Sequence, residues 1–307
     1  MRIPFPATSP SRAPAAPNPA RGIFWMVLTG FCFVAVTAIV KHLGGALPAA
    51  ESAFLRYVLG LAFLLPLLPA ILRARPGGPI LTLAAIRGLA HGLGVILWFF
   101  AMARIPMAEV TAMNYLVPVY VAVGAALFLG ERFALRRTLA IAAALVGTLL
   151  ILRPGFREIA PGHLAMLGTA GLFALSYLLA KRLSGLVSPV AVVGLLSLTV
   201  PIALAPFALV HWVPPTTAQL AWLFLVAAFA TTGHYTMTLA FRAAPITVTQ
   251  PATFLQLVWA TAVGALFFSE PVDGWVIAGG GLIIAAVSFI AWRETRLKRA
   301  PAPPTAP

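Results

Sequence analysis

The stretch Gly124-Ala-Ala-Leu-Phe-Leu-Gly-Glu131 recurs as Val263-Gly-Ala-Leu-Phe-Phe-Ser-Glu270, and this recurrence decides the fold. In each copy a proline stands 25 residues before the glutamate, at Pro106 and at Pro245, so the copies lie 139 residues apart. Single matches of Ala and Leu are common in an apolar chain, but a shared spacing of Pro and Glu is not. The spacing predicts that the chain consists of two related halves.

Charged residues are scarce along the whole chain. They make up 9% of the 307 residues, whereas hydrophobic residues make up 61%, and the mean hydropathy is +0.98. A soluble domain has about 25% charged residues. Because this chain cannot cover a globule with a solvated surface, we predict an all-α membrane protein.

Ten apolar stretches are candidates to cross the bilayer as helices, which takes about 20 residues each. Short connections with Pro, Gly and charged residues separate them and leave no room for a soluble catalytic domain. Each half holds five spans, an odd number, so the second half must enter the membrane from the opposite face. We therefore predict ten transmembrane helices as two inverted five-helix repeats. The predicted spans are 23–43, 50–72, 80–103, 107–129, 135–152, 162–182, 189–210, 218–241, 246–268 and 273–292.

The two predicted repeats are residues 22–153 and 162–293, and a tail flanks them at each end. Residues 1–21 are rich in Pro, Ala and Ser, so we expect a disordered cytoplasmic tail. Residues 294–307 are expected to be a basic, Pro-rich cytoplasmic tail. The first apolar run is longer than the apolar core of a signal peptide, so we expect it to stay as the first helix.

Lysine and arginine residues are distributed unequally between the two sides of the predicted bundle. Fifteen fall on the side of the two tails, and four fall on the other side, namely Lys41, Arg104, Arg153 and Arg157. Because cytoplasmic loops carry the excess of these residues, we predict an inner-membrane protein with both termini in the cytoplasm. The formal charge of +14 is spread over loops and ends, so no nucleic-acid partner is predicted.

No motif for catalysis or ATP binding is present in the sequence. It lacks GxxxxGK[ST], HExxH and GxSxG, so neither a primary pump nor an enzyme is predicted, and no cofactor. The five histidines are scattered and the single cysteine, Cys32, lies inside an apolar run. No metal site is predicted from these residues.

Four short motifs make the chain similar to a known family: Ala108-Glu-Val-Thr-Ala112, Tyr115-Leu-Val-Pro118, Gly130-Glu-Arg132 and Arg153-Pro-Gly155. Together with ten spans in two halves, they resemble the EamA-type permeases of the drug/metabolite transporter superfamily. The resemblance covers roughly residues 22–293. It implies a carrier in which spans one, three, four, six, eight and nine surround a central cavity.

Three basic positions narrow the resemblance. Lys41, Arg56 and the Arg87-Gly88 pair resemble a branch that includes riboflavin and S-adenosylmethionine uptake carriers and some metallophore exporters. Our main hypothesis is a secondary-active transporter that moves a zwitterionic or anionic metabolite by alternating access, with export of an amino-acid-like compound or metallophore favoured. The alternatives are uptake of a vitamin or cofactor, such as riboflavin or S-adenosylmethionine, and a non-transporting membrane receptor or assembly partner.

Charged residues inside the predicted spans are the first candidates for a substrate site, because a charge in hydrocarbon is costly unless it pairs or faces water. Arg87 and His91 lie four residues apart on one helix face, with Trp98 two turns further on. They are predicted to form a wall that attracts an anion. The alternative for Arg87 is a brace between helices, and for Arg56 in span two the brace is favoured.

Spans four and nine each carry an internal proline, Pro118 and Pro251, which kinks a helix and is tolerated beside a cavity. We predict that polar and aromatic residues near these prolines, with two more in spans six and eight, bind substrate without net charge. Routine hydrogen bonding between helices is the alternative. The residues are Asn114, Tyr115, Tyr177, His234, Gln250, Gln256 and Trp259.

Three glutamates fall near the ends of predicted spans. Glu109, at the start of span four, has Arg104 as a candidate partner, and it is the best acidic candidate for proton coupling if it lies deep. Glu131 and Glu270 occupy equivalent points of the two halves. Glu131, with Arg132 beside it, is expected to cap or brace a helix end rather than to bind substrate.

The partners expected from the sequence are a small-molecule substrate and the lipid bilayer. The glycine-rich segment Ala278-Gly-Gly-Gly281 in span ten allows a close approach between helices. We expect it to pack within the bundle or to contact a second copy in a homodimer.

Overall fold

A computed structural model describes residues 18–67, 76–129, 135–156, 158–184, 186–187, 189–244 and 249–299. The regular structure in these ranges is helical, and no β-strand occurs among them. The predicted all-α class is therefore confirmed. The predicted N-terminal tail as far as residue 17 and the loop with Glu131 lie outside the described residues.

The first half is built from six α-helices within the described residues. The first helix begins at a cap in which the Asn18 side chain accepts a hydrogen bond from the Arg21 amide. A 3₁₀ segment, Leu61–Leu67, continues the second helix. The helices are α1 (Pro19–Leu43), α2 (Ala49–Gly60), α3 (Gly78–Met102), α4 (Met107–Asn114), α5 (Val117–Leu129) and α6 (Leu135–Leu152).

The second half contributes five α-helices within the described residues. One of them starts with a capping box, in which Thr216 and Gln219 bind each other's backbone amides. A 3₁₀ turn, Gln250–Thr253, leads into the fourth. The helices are α7 (Pro161–Ser184), α8 (Pro189–Val210), α9 (Thr217–Ala243), α10 (Phe254–Phe268) and α11 (Gly274–Arg299). The last helix continues past residue 292, the predicted end of span ten.

Five helical stretches in the described residues are long and apolar enough to cross a membrane on their own. Shorter apolar helices of 10–17 residues occur within α6, α10 and α11. The five long stretches are Pro19–Leu43, Gly78–Met102, Pro161–Ala180, Ala191–Val210 and Thr217–Phe241.

The predicted fourth span is interrupted in its middle by a proline. α4 ends at Asn114 because Pro118, four residues later, has no N–H to donate and its ring would clash with the Asn114 carbonyl. The second half has an interruption at the equivalent position. There the 3₁₀ turn ends at Thr253, 139 residues after Asn114, and α10 begins. The two interruptions touch each other, since the Tyr115 hydroxyl donates to the Thr253 carbonyl at 2.7 Å.

The helices pair extensively across the two halves. α1 packs along α9 and α3 packs along α7, while α2 packs against α8, α4 against α10 and α6 against α11. When each helix is replaced by its counterpart in the other half, the α1–α9 pair becomes the α7–α3 pair. Each of the other three pairs consists of two counterparts and therefore maps onto itself. The chain therefore has the layout of two structurally related repeats.

Glycines allow α6 and α11 to cross closely. A Cβ atom at Gly147 would lie 2.6 Å from the Gly279 carbonyl oxygen, which is closer than real Cβ atoms come. Gly280 faces Ala112 of α4 and Leu257 of α10 in the same way. The glycine-rich segment of the predicted tenth span therefore packs within the chain.

Candidate functional site

Two buried arginines inside the bundle have no described carboxylate within ion-pair distance. Arg56 of α2 and Arg87 of α3 are each 7% exposed. The Arg87 Nη1 donates to the Val192 carbonyl of α8 at 2.9 Å, whereas the Arg56 guanidinium lies 4.5 Å from the Tyr57 ring centre. The Nε atoms of both arginines are buried without a hydrogen-bond partner. Buried cations without a counter-ion are costly, so they mark a place where an anion would be stabilised.

His91 connects this pair of arginines to the second half. It follows Arg87 by one helical turn, and its Nδ1 lies 3.3 Å from the Ser176 hydroxyl of α7. Its ring stacks on Phe173 of α7, with centroids 4.9 Å apart, and meets the Tyr57 ring at 85°. Imidazole, phenol and phenyl groups from three helices therefore border the arginines.

Two exposed side chains complete this group. Tyr177 of α7 is 42% exposed and lies close enough to Arg87 for an electrostatic interaction. His234 of α9 is also exposed and lies within electrostatic reach of Arg56 and Arg87. Two polar ring side chains of the second half therefore lie beside the buried arginines. We call the group the central cluster, and its members are Arg56, Tyr57, Arg87, His91, Phe173, Ser176, Tyr177 and His234.

Two further predicted residues carry polar atoms that are buried without a hydrogen-bond partner. Trp98 of α3 is 9% exposed, and its ring meets that of Phe173 at a centroid distance of 6.3 Å. Its indole nitrogen and the Oδ1 of Asn114 both lack a partner. Such groups are candidate contacts for a ligand, because buried polar atoms are normally bonded.

The predicted residues of spans four and nine form a second group. The Tyr115 side chain is 9% exposed, and its hydroxyl donates to the Thr253 carbonyl between the two helix interruptions. Gln256 and Trp259 of α10 lie against Gly30 of α1. Trp259 also stacks on Phe31, with centroids 4.1 Å apart, and the Phe31 ring is 54% exposed. These contacts run along α1 rather than toward the two arginines.

Of the two predicted prolines, the structure describes the side chain of Pro118. Pro118 is exposed near the start of α5. The side chains of Gln250 and Pro251 lie outside the described part of the chain.

One end of the bundle is rich in paired charges. We call it the Pro106 end: α1 and α3 end there, and α4 and α7 begin there. Three ion pairs join the two halves at this end, and a fourth carboxylate, that of Glu51, accepts a hydrogen bond from the Val213 amide at 2.9 Å. The ion pairs are Lys41–Glu270 at 2.5 Å, Glu109–His163 at 2.5 Å, and Arg153–Asp273.

Glu109 pairs with His163 rather than with its candidate partner Arg104. Glu109 is 3% exposed, deeper than a loop-edge position suggests, and it binds His163 of α7. Arg104 instead donates to the Phe100 carbonyl at 3.1 Å and lies over the Phe100 ring. Sequence reasoning missed His163, and the only available signal was a titratable residue inside a predicted span.

Two cavities lie away from the central cluster. One of about 180 Å³ lies between α10 and α11 and is lined mainly by apolar side chains. The other, of about 90 Å³, lies at the Pro106 end between the α1–α2 loop and the end of α3. Among the described residues, no group of three or more His, Cys, Asp or Glu side chains is placed to hold a metal ion. The central cluster remains the place where polar groups from both halves converge.

Long apolar helices, two related halves and a polar cluster between them are the plan of a multi-pass membrane carrier. Comparison with known proteins gives the family. The EamA-like transporter family matches residues 20–153 and 160–292, and the chain belongs to this family. Its members are transporters rather than enzymes, so the protein is a membrane transporter of a small metabolite.

Three relatives show the range of molecules that such proteins carry. A riboflavin transporter of Rhizobium johnstonii is 33% identical over 96% of this chain and 97% of its own length. A pseudopaline exporter, CntI, of Pseudomonas aeruginosa is 29% identical over 86% of this chain and 94% of its own. An S-adenosylmethionine uptake transporter of Rickettsia bellii is 25% identical over 90% of this chain and 94% of its own.

A solved crystal structure shares the fold. It superposes with a TM-score of 0.55 at 19% identity, over 92% of this chain and 98% of that one. The relatives named above are bacterial proteins, which places this multi-pass transporter in the inner membrane.

Proposed function

We propose that the protein is a secondary-active carrier that binds a small anionic or zwitterionic metabolite at the central cluster. The observation that carries this proposal is the pair of buried arginines, Arg56 and Arg87, with no described carboxylate nearby. A substrate carboxylate or phosphate would supply the missing negative charge and accept charge-assisted hydrogen bonds. The exposed Tyr177 and His234 would then offer neutral hydrogen bonds and ring faces beside it.

The transport mechanism we propose is alternating access by rocking of the two halves. α2 and α3 of the first half and α7 and α9 of the second half each contribute side chains to the central cluster. Movement of one half against the other would therefore open the site first to one side and then to the other. Asn114, Tyr115, Gln250, Gln256 and Trp259, with Pro118 and Pro251, are proposed to line or shape the path between spans four and nine.

The membrane arrangement we propose has ten spans in inverted repeats of residues 22–153 and 162–293. The exchange of helix pairs between the halves supports this arrangement, as does the odd number of spans in each half. Both termini would face the cytoplasm because of the 15 to 4 distribution of basic residues. The Pro106 end would then face the periplasm.

Cysteine labelling tests this topology. Cysteines placed in segments 73–79 and 294–299 should react only from the cytoplasmic side, and those at 157–160 and 213–216 only from the periplasm. Labelling of 73–79 and 157–160 from the same side would overturn the ten-span arrangement.

A second candidate function is uptake of a flavin-like vitamin. Aromatic rings flank His91 of the central cluster, with Phe173 stacked on it and Tyr57 edge-on to it. Such rings suit a planar ligand, and the riboflavin transporter named above is 33% identical. In this alternative the arginines would brace helices and the rings would hold the substrate.

A comparison of metabolites inside and outside cells, with and without the gene, identifies the transported compound. We expect an anionic or zwitterionic metabolite to change its distribution, and the sign of the change gives the direction of transport. A change in riboflavin alone would favour the second candidate. If no metabolite is redistributed, the carrier proposal is wrong.

A matched pair of probes separates the two candidates in purified protein. Riboflavin and flavin mononucleotide share one ring system, and only the latter carries a phosphate. If the arginines bind an anion, flavin mononucleotide should stabilise the protein against thermal unfolding more than riboflavin does. The Arg87→Ala variant should lose that difference. Equal stabilisation by both probes in the wild type would contradict an anion site.

A further inference from the structure

Residues of the second half cover the loop at Pro106, which joins α3 to α4 in the first half. Ile105 is 2% exposed and Met107 is not exposed at all. Gly162, at the start of α7, lies so close to the Ile105 side chain that a Cβ atom there would come within 2.6 Å of it. Two apolar side chains of the first half are therefore sealed against the second half.

Glu270 ties this loop to α1. One of its carboxylate oxygens accepts a hydrogen bond from the Met107 amide at 2.8 Å, and the other lies 2.5 Å from the Lys41 ammonium. Lys41 also donates to the Ile105 carbonyl at 2.9 Å. One carboxylate of the second half thus holds both α1 and the α3–α4 loop of the first half.

The backbone around Glu270 aims its carboxylate at the loop. Ser269 adopts a left-handed conformation, with φ of 53°, that ends α10. The Glu270 amide then turns back and donates to the Gly264 carbonyl at 3.0 Å. The Glu270 carboxylate lies directly over Gly264, where a side chain would displace it.

A second ion pair closes the same loop from the side of α7. Glu109, two residues after Met107, binds His163, and both side chains are 4% exposed. Lys41–Glu270, Glu109–His163 and the Ile105–Gly162 contact therefore converge on one short loop. Each of the three joins the first half to the second.

We infer that these residues form the outer gate of the carrier, which closes the substrate path on the periplasmic side. This inference rests on the proposed alternating access. The buried Ile105 and Met107 side chains seal the path, and the charged groups hold the seal. Charges suit a reversible closure, because Lys41 and Glu270 are hydrated again when the gate opens. We define the Pro106 gate as Lys41, Ile105, Met107, Glu109, Gly162, His163 and Glu270.

The Arg153–Asp273 pair provides an internal control. It also joins the two halves at the Pro106 end, with side chains 27% and 21% exposed. Its residues lie, however, directly after α6 and directly before α11, and these two helices cross closely at Gly147 and Gly279. Because that crossing fixes the two helices independently, removing the pair should leave the gate unchanged.

The test measures access to the centre from outside and needs no transported substrate. In a Cys32→Ala background, Ser176→Cys places one thiol in the central cluster, where the serine is fully buried. A membrane-impermeant thiol reagent is added to right-side-out vesicles. Glu270→Gln should raise the rate of labelling about tenfold, the change in an equilibrium constant that corresponds to about 1.4 kcal/mol. Asp273→Asn should leave the rate within about twofold.

A disulfide tests the same gate in the opposite direction. Oxidised Lys41→Cys/Glu270→Cys should suppress labelling of the central thiol below the wild-type rate, and a reducing agent should restore it. The matched pair Arg153→Cys/Asp273→Cys should not suppress it. Equal effects of Glu270→Gln and Asp273→Asn, or unchanged labelling with the first disulfide formed, would overturn the gate. If labelling responds as expected while no metabolite is redistributed in cells, the gate stands and the carrier proposal fails.

Discussion

The Pro106 end and the central cluster differ in how their charges are balanced. At the Pro106 end Glu109, Glu270 and Asp273 each bind a basic partner, and Glu51 binds a backbone amide. At the centre Arg56 and Arg87 are equally buried but have no described carboxylate in reach. Paired charges neutralise each other within the protein, whereas unpaired ones depend on something else for their charge balance. The difference supports our proposal that the second region receives a ligand, whereas the ion pairs of the first region join the two halves.

The largest expected effect is on stability at the Pro106 end. Glu109→Ala leaves His163 buried without its carboxylate, so we expect a loss of about 3 kcal/mol in the free energy of unfolding. Denaturant unfolding of purified protein in detergent measures it. Glu158→Ala, which removes an exposed carboxylate, is the control and should have little effect. A loss as small as that of the control would remove the contrast between the two regions.

Arg87→Ala should reduce transport at low substrate concentration about 30-fold, which corresponds to about 2 kcal/mol, because a charged contact to substrate is lost. The protein should still reach the membrane at a normal level. Uptake of the metabolite identified in cells, normalised to protein amount, measures the effect.

Two variants sharpen the interpretation of Arg87. Arg87→Lys keeps the charge but loses the planar fork, so partial activity indicates a point charge and no activity indicates a two-pronged contact. Arg104→Ala removes an exposed arginine of the Pro106 end and should have little effect on transport. If Arg87→Ala protein is missing from the membrane, Arg87 is a brace and the centre resembles the Pro106 end.

Tyr115→Phe tests the contact that joins the two helix interruptions. The variant loses the hydroxyl that donates to the Thr253 carbonyl, so we expect a loss of about 1 kcal/mol in the free energy of unfolding. Tyr235→Phe, at a side chain that is 65% exposed, is the matched control. Equal unfolding of the two variants would mean that this hydrogen bond does not hold spans four and nine together.

The smallest effect is expected at the partly exposed ion pair of the Pro106 end. Asp273→Asn removes the charge that binds Arg153, with a loss of about 0.2–1 kcal/mol because solvent screens the pair. The same unfolding measurement as for Glu109→Ala checks it. A loss equal to that of Glu109→Ala would show that burial does not determine how much each ion pair of this end contributes to the free energy of unfolding.

Patterns along the chain predicted the helices better than the contacts between them. The predicted span 80–103 corresponds closely to α3, Gly78–Met102, since composition and length alone decide which segments enter lipid. The interruption after Asn114 was also foreseeable, because Pro118 acts on the carbonyl four residues before it. These are local effects that a neighbouring helix does not change.

The grouping of the candidate site residues was partly foreseeable. Polar groups inside apolar spans are costly, and this marked five residues as candidates. The structure brings all five together: Arg56, Arg87, His91, Tyr177 and His234. Trp259 was predicted from its position near Pro251, yet it packs on α1. Periodicity tells which face of a helix is polar, but not which neighbour that face meets.

By itself the sequence determined that this is an all-α membrane protein of two related halves, because hydropathy and the repeated Pro-to-Glu spacing act without long-range contacts. Only the tertiary structure decided which charges are paired. Glu109 binds His163 rather than Arg104, and Lys41 binds Glu270, which is far away along the chain. Ion pairing depends on distances of a few ångströms between helices, and the packing of one half on the other sets those distances.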